Sequence, residues 1–274
     1  MTVPALYRGL FDDAALFPPG DLPLPEAVPA HAVHRTAWYA EAVGPFLVGA
    51  GRLAELTAVL AGAPLRVALV LPDGAGQLAP ALADAGALSV AGVELADPDV
   101  RAAVTALDGQ LPAGVQAAVE LPRGDGLPAA LDVLAGTPYR AKFRTGGLAA
   151  GAFPTETELA GFLAGCAERA LPYKCTAGLH HAVRHTDPAT GFEHHGFLNV
   201  LLAAVAGPDE KLAAEALAER SGALLAAAAH DLTDDQVRQA RERFTAFGTC
   251  SIVEPLEDLA ALGLLTAPAP QEDR

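Results

Sequence analysis

Short apolar runs recur along the chain, separated by longer stretches in which apolar residues return every three or four positions. The runs fit strands and the stretches between them fit amphipathic helices, so their alternation predicts repeated β-α units around a parallel sheet. Eight candidate strands emerge: Gly9-Leu10-Phe11, Phe46-Leu47-Val48, Leu65 to Leu71, Val93-Glu94-Leu95, Val115 to Leu121, Tyr139 to Arg144, Tyr173 to Thr176 and Phe247 to Ile252. Helix starts are marked as well. Asp97 followed by Pro98 reads as an N-cap with proline at the first helical position. Thr155 with Glu158, and Thr233 with Gln236, read as capping boxes, the second opening a helix over Val237 to Phe244.

From Phe197 to Ala229 two alanine- and leucine-rich helical stretches are broken at Gly207-Pro208-Asp209. The seventh connection is therefore longer than the others, and its helices either cover part of the barrel or form a subunit contact that would make a homo-oligomer. The expected architecture is α/β: a (β/α)8 TIM barrel occupying residues 1–274 as a single domain, with a helical insertion at about 197–244. An open doubly wound sheet is the alternative. No Gly-x-Gly-x-x-Gly follows an early strand to favour a dinucleotide fold.

Composition narrows the partners. The 274 residues are 51% hydrophobic and carry a formal charge of −15. That sign repels phosphate backbones and anionic bilayers, and no basic run localises a positive patch, so neither nucleic acid nor membrane is expected as a partner. No charged leader precedes an apolar run, and no stretch approaches about 18 uninterrupted apolar residues, which points to a soluble cytoplasmic protein. Cys166, Cys175 and Cys250 are too few for a disulfide framework and read as core residues. Trp38 and Tyr39, placed on the first helical stretch, are expected to pack against the barrel. The tail Thr266 to Arg274 is expected to fray.

Three lysines stand against fifteen arginines, and two of the three lie on matching apolar segments, Ala141-Lys142-Phe143-Arg144-Thr145-Gly146-Gly147 and Tyr173-Lys174-Cys175-Thr176-Ala177-Gly178-Leu179. A desolvated or crowded amine can lose its proton near neutral pH and attack a carbonyl; guanidinium does neither. The bland reading is that both amines snorkel or pair with carboxylates. In a barrel, active groups stand at the carboxyl ends of strands. That rule selects Asp12, Asp13, Arg52, Glu94, Asp97, Glu120, Lys142, Arg144, Lys174 and Ser251. Strand alternation puts Lys142 and Arg144 on one face.

Lys142-Phe143-Arg144-Thr145-Gly146, Lys174-Cys175-Thr176-Ala177-Gly178 and Phe247-Gly248-Thr249-Cys250-Ser251 together resemble the last three strands of the deoxyribose-phosphate aldolase family, class I aldolases on a (β/α)8 barrel. The resemblance covers about a third of the chain. It implies that Lys142 forms an imine with a small carbonyl substrate without metal or cofactor, that Lys174 is the cation depressing its pKa, and that Glu94, standing roughly where the family has an aspartate, transfers protons. Ala177 and Cys250 depart from the family's Gly-Gly and Ser-Ser positions, which bears on whether the substrate carries phosphate. The aldolase-like reading names Lys142, Lys174, Glu94, Glu120 and His180 as candidate catalytic groups. Arg52, Arg144, Thr145, Gly146, Gly178, His181, Gly248 and Ser251 are candidate substrate contacts.

Two other readings remain. His180, His181, His185, His194 and His195, five of eight histidines, fall within sixteen residues. With Asp187 or Glu193 they could hold a divalent metal for hydrolase or lyase chemistry, although their spacing matches no His-Glu-x-x-His motif. The third reading is a catalytically silent barrel that binds a ligand or assembles through its inserted helices.

Overall fold

The computed structural model describes residues 2–267, so most of the tail expected to fray lies outside the described residues. Along the chain come β1 (Phe11–Asp13), α1 (Leu24–Thr36), β2 (Val43–Gly49), α2 (Leu53–Leu60), β3 (Arg66–Leu71), α3 (Leu78–Asp84), β4 (Ser89–Ala96) and α4 (Val100–Gln110). Then follow β5 (Gln116–Glu120), α5 (Leu127–Leu134), β6 (Arg140–Arg144), α6 (Glu156–Glu168) and β7 (Tyr173–Thr176). A small antiparallel hairpin, β8 (His185–Thr186) and β9 (Glu193–His194), precedes α7 (Phe197–Val205), α8 (Glu210–Ala218), α9 (Gly222–His230) and α10 (Asp234–Arg243). The last strand is β10 (Phe244–Thr249), and α11 (Val253–Ala261) follows it.

Strands β1 to β7 and β10 form a closed parallel barrel, each paired with its neighbour in chain order and β10 returning to β1. Closure removes the edge strands that would otherwise template aggregation. The chain is thus a (β/α)8 TIM barrel, with extra helices between β7 and β10.

Alternation along the strands divides the core in two. Outward residues such as Phe143, Tyr173 and Phe247 pack into the helical layer, where Phe143 stacks on Phe162 with ring centroids 4.3 Å apart. Helix α7 is apolar almost all round because it is enclosed. Its Phe197 stacks on Phe247 at 5.3 Å and meets Phe11 edge-on at 5.7 Å, so it belongs to the wall of the barrel. Each such ring or leucine, buried, contributes roughly 1.5–3 kcal/mol. Inside the barrel the apolar side chains are few, Ala14, Leu47 and Ala68 forming one small cluster. Charged side chains line much of the rest.

Several boundaries differ from the sequence expectation. Gly9, at φ +57°, belongs to the turn before β1. Asp97 does not cap α4; Asp99 does, accepting from the Arg101 and Ala102 amides, while Asp97 accepts from Ala75 N at 2.7 Å and ties two loops together. Trp38 and Tyr39 follow α1 rather than lying on it. The second inserted stretch is two helices, divided where Ser221 caps α9. β10 begins three residues earlier than expected, at Phe244, where α10 ends.

Candidate active site

In-register pairing fixes the centre of the barrel. Lys142 on β6 lies directly opposite Lys174 on β7, and Glu120 on β5 lies opposite Lys142. Parallel strands in register direct equivalent side chains to the same side, so both amines enter the interior, where each residue is about 3% exposed or less. Glu94 on β4 stands between them. Its Oε2 is 2.7 Å from Lys142 Nζ and its Oε1 bonds Lys174 Nζ. Lys174 also donates to Asp12 Oδ2 at 2.5 Å. Lys142 is 3.1 Å from Glu120 Oε2, and Arg144 Nε donates to Glu120 Oε1 at 3.1 Å. The six side chains form one alternating line, Arg144–Glu120–Lys142–Glu94–Lys174–Asp12, with three charges of each sign.

Isolated charges at this depth would be prohibitive, and alternation is what makes the line tolerable. Burial pushes the Glu94 carboxyl upward, but the two ammonium groups outweigh it and hold it well below the ordinary carboxylate range. Glu120 is lowered too, burial again being overcome by Lys142 and Arg144. Lys174 is pressed down by burial, yet Asp12 and Glu94 together raise it above its ordinary value. Asp12 ends the line with only one amine beside it; burial dominates and raises it.

These directions correct the expected electrostatics. Two amines crowding each other would each be depressed; here a shared carboxylate lies between them and Lys174 is raised.

The other candidates divide. Thr145 is fully buried and its hydroxyl donates to the carbonyls of Ala177 and of Thr176, the latter at 3.2 Å, pinning the turn after β7 to the end of β6. Gly146 and Gly178 are pressed together: a Cβ on Gly146 would lie 2.8 Å from Gly178 Cα, and Gly178 has φ +77°. Their lack of side chains has a packing reason. Gly248 faces Leu47 and Thr176 inside the barrel. Ser251 Oγ accepts from Glu254 N at 3.2 Å at the start of α11. Arg52 spends both arms of its guanidinium on Glu55 at 3.0 Å.

His180 and His181 bond to α11, through Glu254 at 3.3 Å and Asp258 at 3.1 Å, and neither hydrogen-bonds to the lysine line. His180 Nδ1 also lies 3.5 Å from Cys250 Sγ. Burial, with Glu254 nearby, pushes that thiol up to about 11, and burial lowers His180 despite Glu254, so the contact joins two neutral groups. In the rest of the histidine loop, the His185 ring packs against those of His181 and His194, with centroids 4.8 and 5.2 Å apart. His195 is buried and bonded to the Pro154 carbonyl. Among the described residues no three His, Cys, Asp or Glu side chains are grouped to hold a metal ion, so the loop offers no preformed donor set.

Two members of the interior stand outside the candidate catalytic groups. Asp12, selected in the sequence by its place at a strand end, is the partner of Lys174. Arg140, two residues before Lys142, shares its face, and the 140, 142, 144 alternation was the signal for it. His31, bonded to the buried Asp13 at 2.8 Å, carried no such signal. No helix among the described residues is long and apolar enough to cross a membrane. Compared with known protein families and with curated proteins, the chain matches none.

Proposed function

We propose that the barrel is an aldolase-like lyase in which Lys142 forms a Schiff base with a small carbonyl compound. The observation that carries this reading is the pairing of Lys142 and Lys174 across adjacent strands with Glu94 bonded to both amines. The Lys142 amine must shed a proton before it can add to a carbonyl. Glu120 offers the route, since its side chain is 19% exposed while that of Glu94 is 4% exposed. Addition of the amine and loss of the carbonyl oxygen as water leave an iminium, which draws electrons from the adjacent carbon–carbon bond. The other fragment leaves as a carbonyl compound as its hydroxyl gives up a proton, and Glu94, within hydrogen-bond reach of both amines, can take that proton and return it to the enamine carbon. Lys174, kept cationic by Asp12 and Glu94, stabilises negative charge developing beside it.

Borohydride reduction in the presence of a panel of small aldehydes and ketones tests this. A single mass adduct is expected, mapped to Lys142 and lost in Lys142→Arg. An empty panel with folded protein would end the reading and leave the charged line as the structural filling of the barrel. An adduct on Lys174 would exchange the roles of the two amines.

A further inference from the structure

Opposite the mouth where Glu120 and Arg144 lie, at the amino-terminal ends of the strands, the barrel holds a cavity of about 520 Å³. Such a volume falls within the range of small-ligand pockets, about 300–1,000 Å³. It exists because Ala68, Gly92 and Ala246, which line it, leave space that larger side chains would fill. Asp12, Glu94 and Lys174 also line it, so it reaches the charged line from below; Lys142 does not.

Its charge is unbalanced in a telling way. Arg66, Arg140 and Arg241 line the same space, and among the described residues none of them has a carboxylate within 4.0 Å. Eight other arginines of this chain, whose formal charge is −15, do have one. The acids that line the cavity do not fill the gap: Asp12 and Glu94 are already bonded to Lys174, and Glu242 is exposed. Arg241 is anchored by main-chain carbonyls, those of Phe244 at 2.6 Å, Thr245 at 2.7 Å and Arg8 at 3.0 Å, which satisfy its N–H groups without cancelling its charge. Arg140 is less satisfied. Its Nη1 donates to Thr245 Oγ1 at 3.2 Å, while its Nε is buried with no hydrogen-bond partner among the described residues. Burial lowers both guanidinium groups, Arg241 to about 10, and it outweighs the opposing pull of Asp12 on both and of Glu94 on Arg140.

We propose that this amino-terminal cavity binds a small organic anion whose carboxylate or phosphate group is held by Arg140 and Arg66 in the field of Arg241. A guanidinium presents its donors in a planar fork that matches either group, so the chemistry shared by the two ligand classes is what the site reads. The site does not depend on Schiff-base chemistry. Its readout is binding, so it and the proposed reaction fail separately.

Isothermal titration calorimetry on the full chain at low ionic strength, with succinate and inorganic phosphate as separate probes, tests it. At least one probe should bind saturably, and which one binds distinguishes a carboxylate from a phosphate preference. Losing a charge-assisted contact should weaken that affinity about tenfold or more in Arg140→Gln and in Arg66→Gln. Arg66 is exposed, so its variant reports even where Arg140→Gln folds poorly. No saturable binding of either probe, or an affinity unchanged in Arg66→Gln, overturns the proposal.

Discussion

Glu94 is the residue on which the interior turns, because it alone bonds both amines. Glu94→Gln keeps nearly the same shape but removes one negative charge from a buried line that was balanced. Leaving a buried ammonium without its counter-ion costs about 3–5 kcal/mol, and urea denaturation should show a loss of that order. A loss under about 1 kcal/mol would mean that water or Asp12 and Glu120 already carry the compensation. His195 gives the clearest pH signature. Its Nε2–H donates to the Pro154 carbonyl at 2.8 Å while Nδ1 faces Arg184 Nη1 at 3.3 Å, an arrangement that suits neutral imidazole. Burial, with Arg184 adding to it against the Pro154 bond, lowers His195 to about 4 from the model-peptide value of 6.5. On acidification the unfolded chain therefore takes up this proton first, so stability is full at neutral pH and falls as pH drops from about 6.5 to about 4. The fall is worth roughly 3 kcal/mol. Denaturant melts across that window should show a shallower slope in His195→Gln, and parallel slopes would refute the assignment. Sequence reading reached the two lysines because arginine is the default cation of this chain. It did not reach their partners in detail, since Lys174 meets Glu94 and Asp12 across 80 and 162 residues of chain. No local pattern encodes such pairings. The same distance explains the missed electrostatics: crowding of two amines was legible, and the acid inserted between them was not.

Among the elements, legibility followed the locality of the signal. Both capping boxes form as read, because Thr155 and Thr233 need only partners three residues away. Thr155 accepts from Glu158 N at 3.2 Å and Glu158 returns a bond to Thr155 N at 2.8 Å, and Glu158 also pairs with Arg123 at 2.8 Å. Thr155→Ala removes one half of the box and should destabilise the protein by about 1 kcal/mol. A thermal melt unchanged against wild type would show that the helix start is held by Arg123 instead. Where a local signal had a competitor, it misled. Pro98 made Asp97 look like a cap, but Asp97 is drawn across to Ala75 and leaves the cap to Asp99, two residues on. The apolar runs located all eight barrel strands. They placed the ends poorly, since a run says where a strand is buried and the turn says where it stops. Gly207-Pro208-Asp209 marked the break between α7 and α8. The break at Ser221 lay in a stretch too rich in alanine for its single cap to stand out.

At the scale of the molecule, the charged line and the closure of the barrel are one construction. β1 is only three residues long, yet it pairs with both β2 and β10 and so completes the cylinder. Its central residue is Asp12, which reaches past β10 to Lys174 on β7. The side chain has room to do this only because its neighbour on β2 is glycine: a Cβ on Gly44 would lie 1.9 Å from Asp12 Oδ1 and 3.3 Å from Asp12 Cα. Gly44→Ala would therefore push Asp12 off Lys174 and strain the β1–β2 seam together. Overpacking of this kind costs about 1–3 kcal/mol, to which weakening of a buried ion pair adds. Because seam and charges share one core, the loss should appear as a lower denaturation midpoint with an unchanged m-value and a single transition. Asp12→Asn should remove most of the extra loss that Gly44→Ala shows over simple overpacking, making the double variant less than additive. Full additivity, or a separate early transition for the amino-terminal strand, would show that closure of the barrel and the buried charges are held independently.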